Sequence, residues 1–186
     1  MIITMPNPSL RKQSIQIDKI DDEVMAIIQQ MEESTLDWEA SRKHEVGVAL
    51  AAVQIDKLHR IVIVREDFDN PSNHKFTTLI NPEIIKLSGD IHYEREGCLS
   101  VKDLYGKVPR YSKIKVKAKM INGDEVIISA KGFLARILQH EIDHTNGRLF
   151  VDLIKDNPEA FSKMHSNGDL VKLNSDEYEE YASILW

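Results

Sequence analysis

The run Gly132-Phe-Leu-Ala-Arg-Ile-Leu-Gln-His-Glu-Ile-Asp-His144 constrains this chain more than any other segment. Phe133, Leu134, Ile137, Leu138 and Ile142 recur at helical spacing, and Gly147 fits a carboxy-terminal stop, so the segment reads as a helix with one apolar face. On that helix His140 and His144 lie four residues apart and project from the same side, where both imidazoles can reach one metal ion. Glu141 lies about 100° further round the axis, beside the two ligands rather than among them. That is the place for a general base acting on water at a metal, and the pattern points to metal-assisted hydrolysis.

The third ligand divides the enzymes that carry such a motif. A frequent continuation places a third His after a Gly, but the chain here runs His144-Thr-Asn-Gly-Arg-Leu-Phe150, and Phe150 cannot bind a metal. Another uses a Glu from a later helix, for which Glu177, Glu179 and Glu180 lie at workable separations. Their surroundings, Ser175-Asp-Glu-Tyr-Glu-Glu-Tyr181, are acidic enough to suggest a solvated surface instead. Upstream, the single cysteine, Cys98, sits in Glu96-Gly-Cys-Leu-Ser100. A lone Cys is commonly a small buried hydrophobe, but Gly97 beside it permits a tight turn or a close approach. One thiolate and two imidazoles would leave a fourth coordination position open, as in catalytic rather than structural sites. A zinc endopeptidase using a downstream Glu and a non-catalytic, metal-stabilised binding module remain the alternatives.

Three motifs occur in order: Gly47-Val-Ala-Leu-Ala-Ala-Val-Gln54, Glu96-Gly-Cys-Leu-Ser100 and Gln139-His-Glu-Ile-Asp-His144. Together they resemble the signatures of peptide deformylases, and the opening Met5-Pro-Asn-Pro-Ser-Leu-Arg11 is similar to the start of that family. The resemblance runs from the first residues to about Leu153. Ala49 departs from it, since the family usually has a second Gly there, and its methyl group lies where substrate backbone is expected to pass.

The resemblance implies an α+β fold and an enzyme that removes formate from N-formylmethionine on new polypeptides. Cys98, His140 and His144 would hold one ion per chain, with Glu141 as proton carrier. Gln54 and the backbone N–H of Leu99 would face the oxyanion of the attacked carbonyl. Substrate would lie along Gly47, Val48, Ala49 and Gly97, with the methionine side chain near Phe133 and Ile137, positions that core packing explains equally well. Asp143 in a motif helix needs a partner, and Arg110 is the one that the resemblance supports. Thiolate and imidazole donors suit Zn²⁺, Fe²⁺, Ni²⁺ or Co²⁺, and the resemblance implies ferrous iron.

Composition agrees with a small enzyme. With 186 residues, 42% of them hydrophobic, the chain can bury one good core, so we expect a single domain over 1–186 with about 154–186 as an extension packed on its outside. A net charge of −6 argues against binding DNA or RNA through bulk charge. One cysteine excludes an intrachain disulfide framework. No stretch approaches the ~20 apolar residues of a membrane span, and a cytoplasmic location is expected.

The coarse order is a helix from Asp18 to about Trp38, strands at Arg60–Arg65 and Phe76–Ile80, then an alternating strand Lys113–Met120. Asn122-Gly123 turns that strand into Glu125–Ser129, a hairpin signal. This predicts antiparallel strands around a central metal-binding helix, with an amino-terminal helix. Ala51 and Ala52 are small enough for close packing on that central helix. Lys113, Lys115, Lys117 and Lys119 share one strand face, the clearest basic surface in an acidic chain. It could protect an edge strand or touch the RNA-rich surface of a ribosome.

Overall fold

The computed structural model describes residues 1–42, 45–70 and 72–186. Helix α1 spans Asp22–Ala40, starting later than the Asp18 expected from the sequence. The reason is local: Asp21 is extended, and its side chain accepts a hydrogen bond from the Val24 N–H at 3.2 Å, capping the helix there. Val24, Ile27, Ile28 and Met31 form its buried stripe.

Among the described residues, seven strands follow in one antiparallel sheet: β1 Ala49–Ala51, β2 Ile61–Arg65, β3 Phe76–Cys98, β4 Val101–Lys119, β5 Glu125–Lys131, β6 Phe161–Met164 and β7 Leu170–Lys172. Their order is β1-β2-β3-β4-β6-β7, with β5 also paired to β4. Strand β2 is buried throughout because both of its faces are covered. Ile61 and Ile63 pack with α1, while Val62 and Val64 join a second cluster with helix α2, Gly132–Thr145. That double burial explains why Ile-Val-Ile-Val does not alternate with polar residues. Ala51 packs with α2 as expected, whereas Ala52 faces the α1 cluster, one residue out of phase.

Strand β3 extends far beyond the expected end at Ile80, running through Pro82 and Gly89. Both fall at register shifts, between Ile80/Glu83 and Ser88/Ile91, where a bulge tolerates a missing N–H or a positive φ. Its last residue, Cys98, pairs with Val101, so Leu99 and Ser100 form the tight turn into β4. The Asn122-Gly123 turn is present, with Gly123 at φ 88° joining β4 to β5.

Between Lys113 and Lys119, β4 is paired to β3 on one side and β5 on the other. The lysine row therefore does not protect an edge; it covers the solvent face of a central strand. The carboxy-terminal segment does more than coat the outside. Strand β6 pairs with Leu104–Gly106 of β4, and Phe161 and Leu185 of helix α3, Ser175–Leu185, are buried with Phe150 and Leu104. Among the described residues, no helix is long and apolar enough to cross a membrane.

Candidate metal centre

Helix α2 runs beneath the sheet and brings its motif face to the β3–β4 turn. His140 and His144 are buried, and the His144 Nε2 lies 3.2 Å from the Cys98 Sγ. Potential ligand atoms of Cys98, His140 and His144 all lie within 4.8 Å of one another, the spacing of donors around a single cation. They form the one such group of three among the described residues, and no Glu of α3 belongs to it. Glu177 instead caps α3 by accepting from the Asn174 N–H at 3.0 Å. Phe150, where a third His would stand in the other motif, stacks on the His140 ring with centroids 6.0 Å apart.

The surroundings suit a cation. Glu96 accepts from His140 Nδ1 at 3.0 Å, which fixes the tautomer and leaves Nε2 free to act as a ligand. Burial lowers the His144 pKa well below its ordinary value, so that imidazole is neutral with its lone pair available. Burial works the same way on His140, but hydrogen bonds to Cys98 and Glu96 outweigh it and hold that ring well above its ordinary value. A cation held beside Cys98 would take the place of the Nε2 proton that this raised pKa implies. Glu141 is buried, and its Oε2 has no hydrogen-bond partner. Removal from water pushes its carboxyl up to about 7.

Sequence reasoning gave Glu96 no role, yet it organises the whole support. It accepts from Arg110 Nε and Nη2 at 2.9 and 3.0 Å, and from Arg136 Nη1 at 2.6 Å. Burial opposes its ionisation, but bonds from His140 and Arg110 prevail and hold its pKa down at about 2. Arg110 also pairs with Asp143, so the expected Asp143–Arg110 contact is present. Gln139 donates to and accepts from the Tyr111 backbone at 2.9 and 3.1 Å, anchoring α2 to β4. One signal was available: Arg136 lies four residues before His140 on the same side of α2, and an arginine buried there requires a carboxylate.

Gln54 is buried beside the ligands. Its Oε1 accepts from the Ala51 N–H at 2.9 Å, which turns the amide NH₂ towards Ser100 Oγ at 3.1 Å and Cys98 Sγ at 3.6 Å. A cleft of about 350 Å³ opens over this group. Its walls include Val48, Ala49, Gln54, Gly97, Leu99, Phe133, Ile137, His140 and Glu141. Phe133 is half exposed at the cleft mouth, and Ile137 is buried within it. Gly47 lies off this wall. Its N–H donates to Glu39, its carbonyl accepts from Arg65, and a Cβ there would come within 2.5 Å of Thr35. Gly97 is needed for a different contact, because a Cβ would come within 2.5 Å of the Tyr105 ring. Sequence reasoning also missed Trp38, Tyr105 and Met164, which complete the walls from α1, β4 and β6.

A family profile described as polypeptide deformylase matches residues 1–159. The chain belongs to that family. It is 40% identical over 168 residues to a peptide deformylase of Brachyspira hyodysenteriae, covering 89% of this chain and 84% of that one. It is 42% identical over 158 residues to one from Thermomicrobium roseum, covering 83% and 85%. Among solved structures, a peptide deformylase from Legionella pneumophila superimposes with a TM-score of 0.74 at 30% identity, covering 99% of this chain and 91% of that one. One from Synechococcus elongatus gives 0.76 at 31% identity, covering 84% and 81%. The α+β expectation holds, and family members are metal-dependent enzymes that deformylate N-formylmethionine.

Proposed function

We propose that the cleft over Cys98, His140 and His144 hydrolyses the formamide of N-formylmethionyl polypeptides, giving formate and a free amine. The observation that carries this reading is the convergence of three ligand donors, an unpartnered buried carboxylate and an oriented amide NH₂ in one cleft. A divalent ion held by the three donors, for which we favour ferrous iron over zinc, nickel or cobalt, would polarise the formyl carbonyl and activate water. Glu141 accepts the proton of the attacking water and delivers it to the amine nitrogen as the C–N bond breaks. Gln54 Nε2 and the Leu99 N–H donate to the formyl oxygen as it gains charge. Arg110 and Asp143, through Glu96, hold the His140 ring in place. The methionine side chain rests against Val48, Phe133 and Ile137, and Ala49 and Gly97 bound the path of its backbone. Gly47, next to Val48, supports that path from behind the wall through its bonds to Glu39 and Arg65.

Formate release from formyl-Met-Ala-Ser, compared with acetyl-Met-Ala-Ser, tests the reaction. Parent protein should turn over the formyl peptide alone. Gln54→Ala should lower kcat by roughly 10²-fold with KM little changed, because the donor matters chiefly when the oxyanion forms. A raised KM with unaltered kcat would make Gln54 a binding group only.

We also propose that the protein works in the cytoplasm near ribosomes, using the exposed face of Lys113, Lys115, Lys117 and Lys119. Phosphate contacts release counterions, so co-sedimentation with ribosomes should fall steeply between low and moderate salt. Changing all four lysines to Glu should abolish it. Identical, salt-insensitive profiles for both proteins would exclude this contact.

A further inference from the structure

The charges around the cleft are unequally satisfied. Arg136 is bound to Glu94 and Glu96. Glu45 pairs with Arg42 at 3.1 Å and accepts a hydrogen bond from the Tyr105 hydroxyl. Arg95 also lines the cleft, but it is exposed, and no carboxylate among the described residues pairs with it. Directly across the hairpin, Arg95 of β3 opposes Lys107 of β4, which is likewise exposed and outside every ion pair among the described residues. Opposed like charges on neighbouring strands repel. Arg95 thus places an uncompensated cation on the wall of the reaction cleft, with Lys107 beside it on the next strand.

We infer that Arg95, reinforced by Lys107, selects N-formylmethionyl peptides carrying an acidic side chain at the second or third residue. The inference rests on the deformylase reading and adds a substrate class to it. Spacing supports those positions. Arg95 precedes Cys98 by three strand residues, about 10 Å at strand rise, and an extended peptide leaving the reacting formyl group covers the same distance in three residues. The Arg side chain shortens the reach by up to a residue. An exposed pair of this kind is weak and screened by salt, so the preference is modest by nature.

The test compares formyl-Met-Ala-Ala with peptides carrying Asp or Lys at the second or third position, for parent, Arg95→Gln and Lys107→Gln. The parent should favour Asp over Ala by roughly 3- to 5-fold in kcat/KM, mainly through KM, and disfavour Lys. That ranking should flatten in Arg95→Gln, weaken in Lys107→Gln and shrink in 0.3 M salt. Binding of the deformylated products Met-Ala-Asp and Met-Ala-Ala, followed through the fluorescence of Trp38 in the cleft wall, should show the same ranking without turnover. Equal use of all peptides by the parent, or a preference that Arg95→Gln retains, overturns the inference while leaving deformylation standing. No turnover of any formyl peptide overturns the deformylase reading and the inference with it.

Discussion

Replacing Glu141 by Gln should reduce formate release from formyl-Met peptides by roughly 10³-fold or more while the bound ion remains at one per chain. The amide keeps the volume of the carboxylate in a buried position, so the helix has no reason to unfold. What disappears is the acceptor that takes a proton from water and carries it to the amine. Activity within tenfold of the parent would remove Glu141 from the mechanism. A pH consequence follows from the same burial. A carboxyl pushed up to about 7 is a base only above its pKa, so kcat/KM should fall as pH drops through it. A neighbouring cation moves that limb to lower pH. In either case the acid limb belongs to Glu141 and should be absent from the residual rate of Glu141→Gln.

Cys98→Ala should have an effect of similar size for a different reason. It deletes one of three donors, and two imidazoles alone hold a divalent ion poorly. Metal content should drop well below one ion per chain, and turnover should fall by roughly 10³-fold. Circular dichroism should stay close to that of the parent, because the β3–β4 turn is fixed by backbone pairing around Cys98 and by the Met5 N–H bond to the Ser100 carbonyl. Full metal occupancy in this variant would point to a fourth protein donor and revive the peptidase alternative.

Local pattern made the reacting groups legible. A four-residue spacing on an apolar-faced helix can be read without knowing what packs against it, which is why His140, Glu141 and His144 stood out. The Asn122-Gly123 hairpin and the apolar stripe of α1 were readable for the same reason. Properties that depend on distant pairing were not. Glu96 looks like one more acidic residue in a polar strand until β3 is laid over α2, bringing Arg110, Arg136 and His140 to the same carboxylate. The lysine row, with its hairpin partner β5 readable on one side, looks like an edge until β3 is found on the other. Gly47 belongs to a motif whose neighbours line the cleft, yet close passage by α1 at Thr35 sets its own requirement. Met164 reaches the cleft only because β6 joins β4, which no local signal near residue 164 foretells.

Everything above turns on Cys98, His140 and His144 jointly holding one catalytic ion. X-ray absorption at the metal edge of the zinc-loaded protein tests it most directly. One sulfur at about 2.3 Å and two imidazole nitrogens at about 2.0–2.1 Å are expected, with a remaining light-atom ligand from solvent. In Cys98→Ala the sulfur contribution should vanish together with most of the metal. A spectrum of the parent fitted by nitrogen and oxygen alone, with no sulfur, would show that Cys98 does not hold the ion.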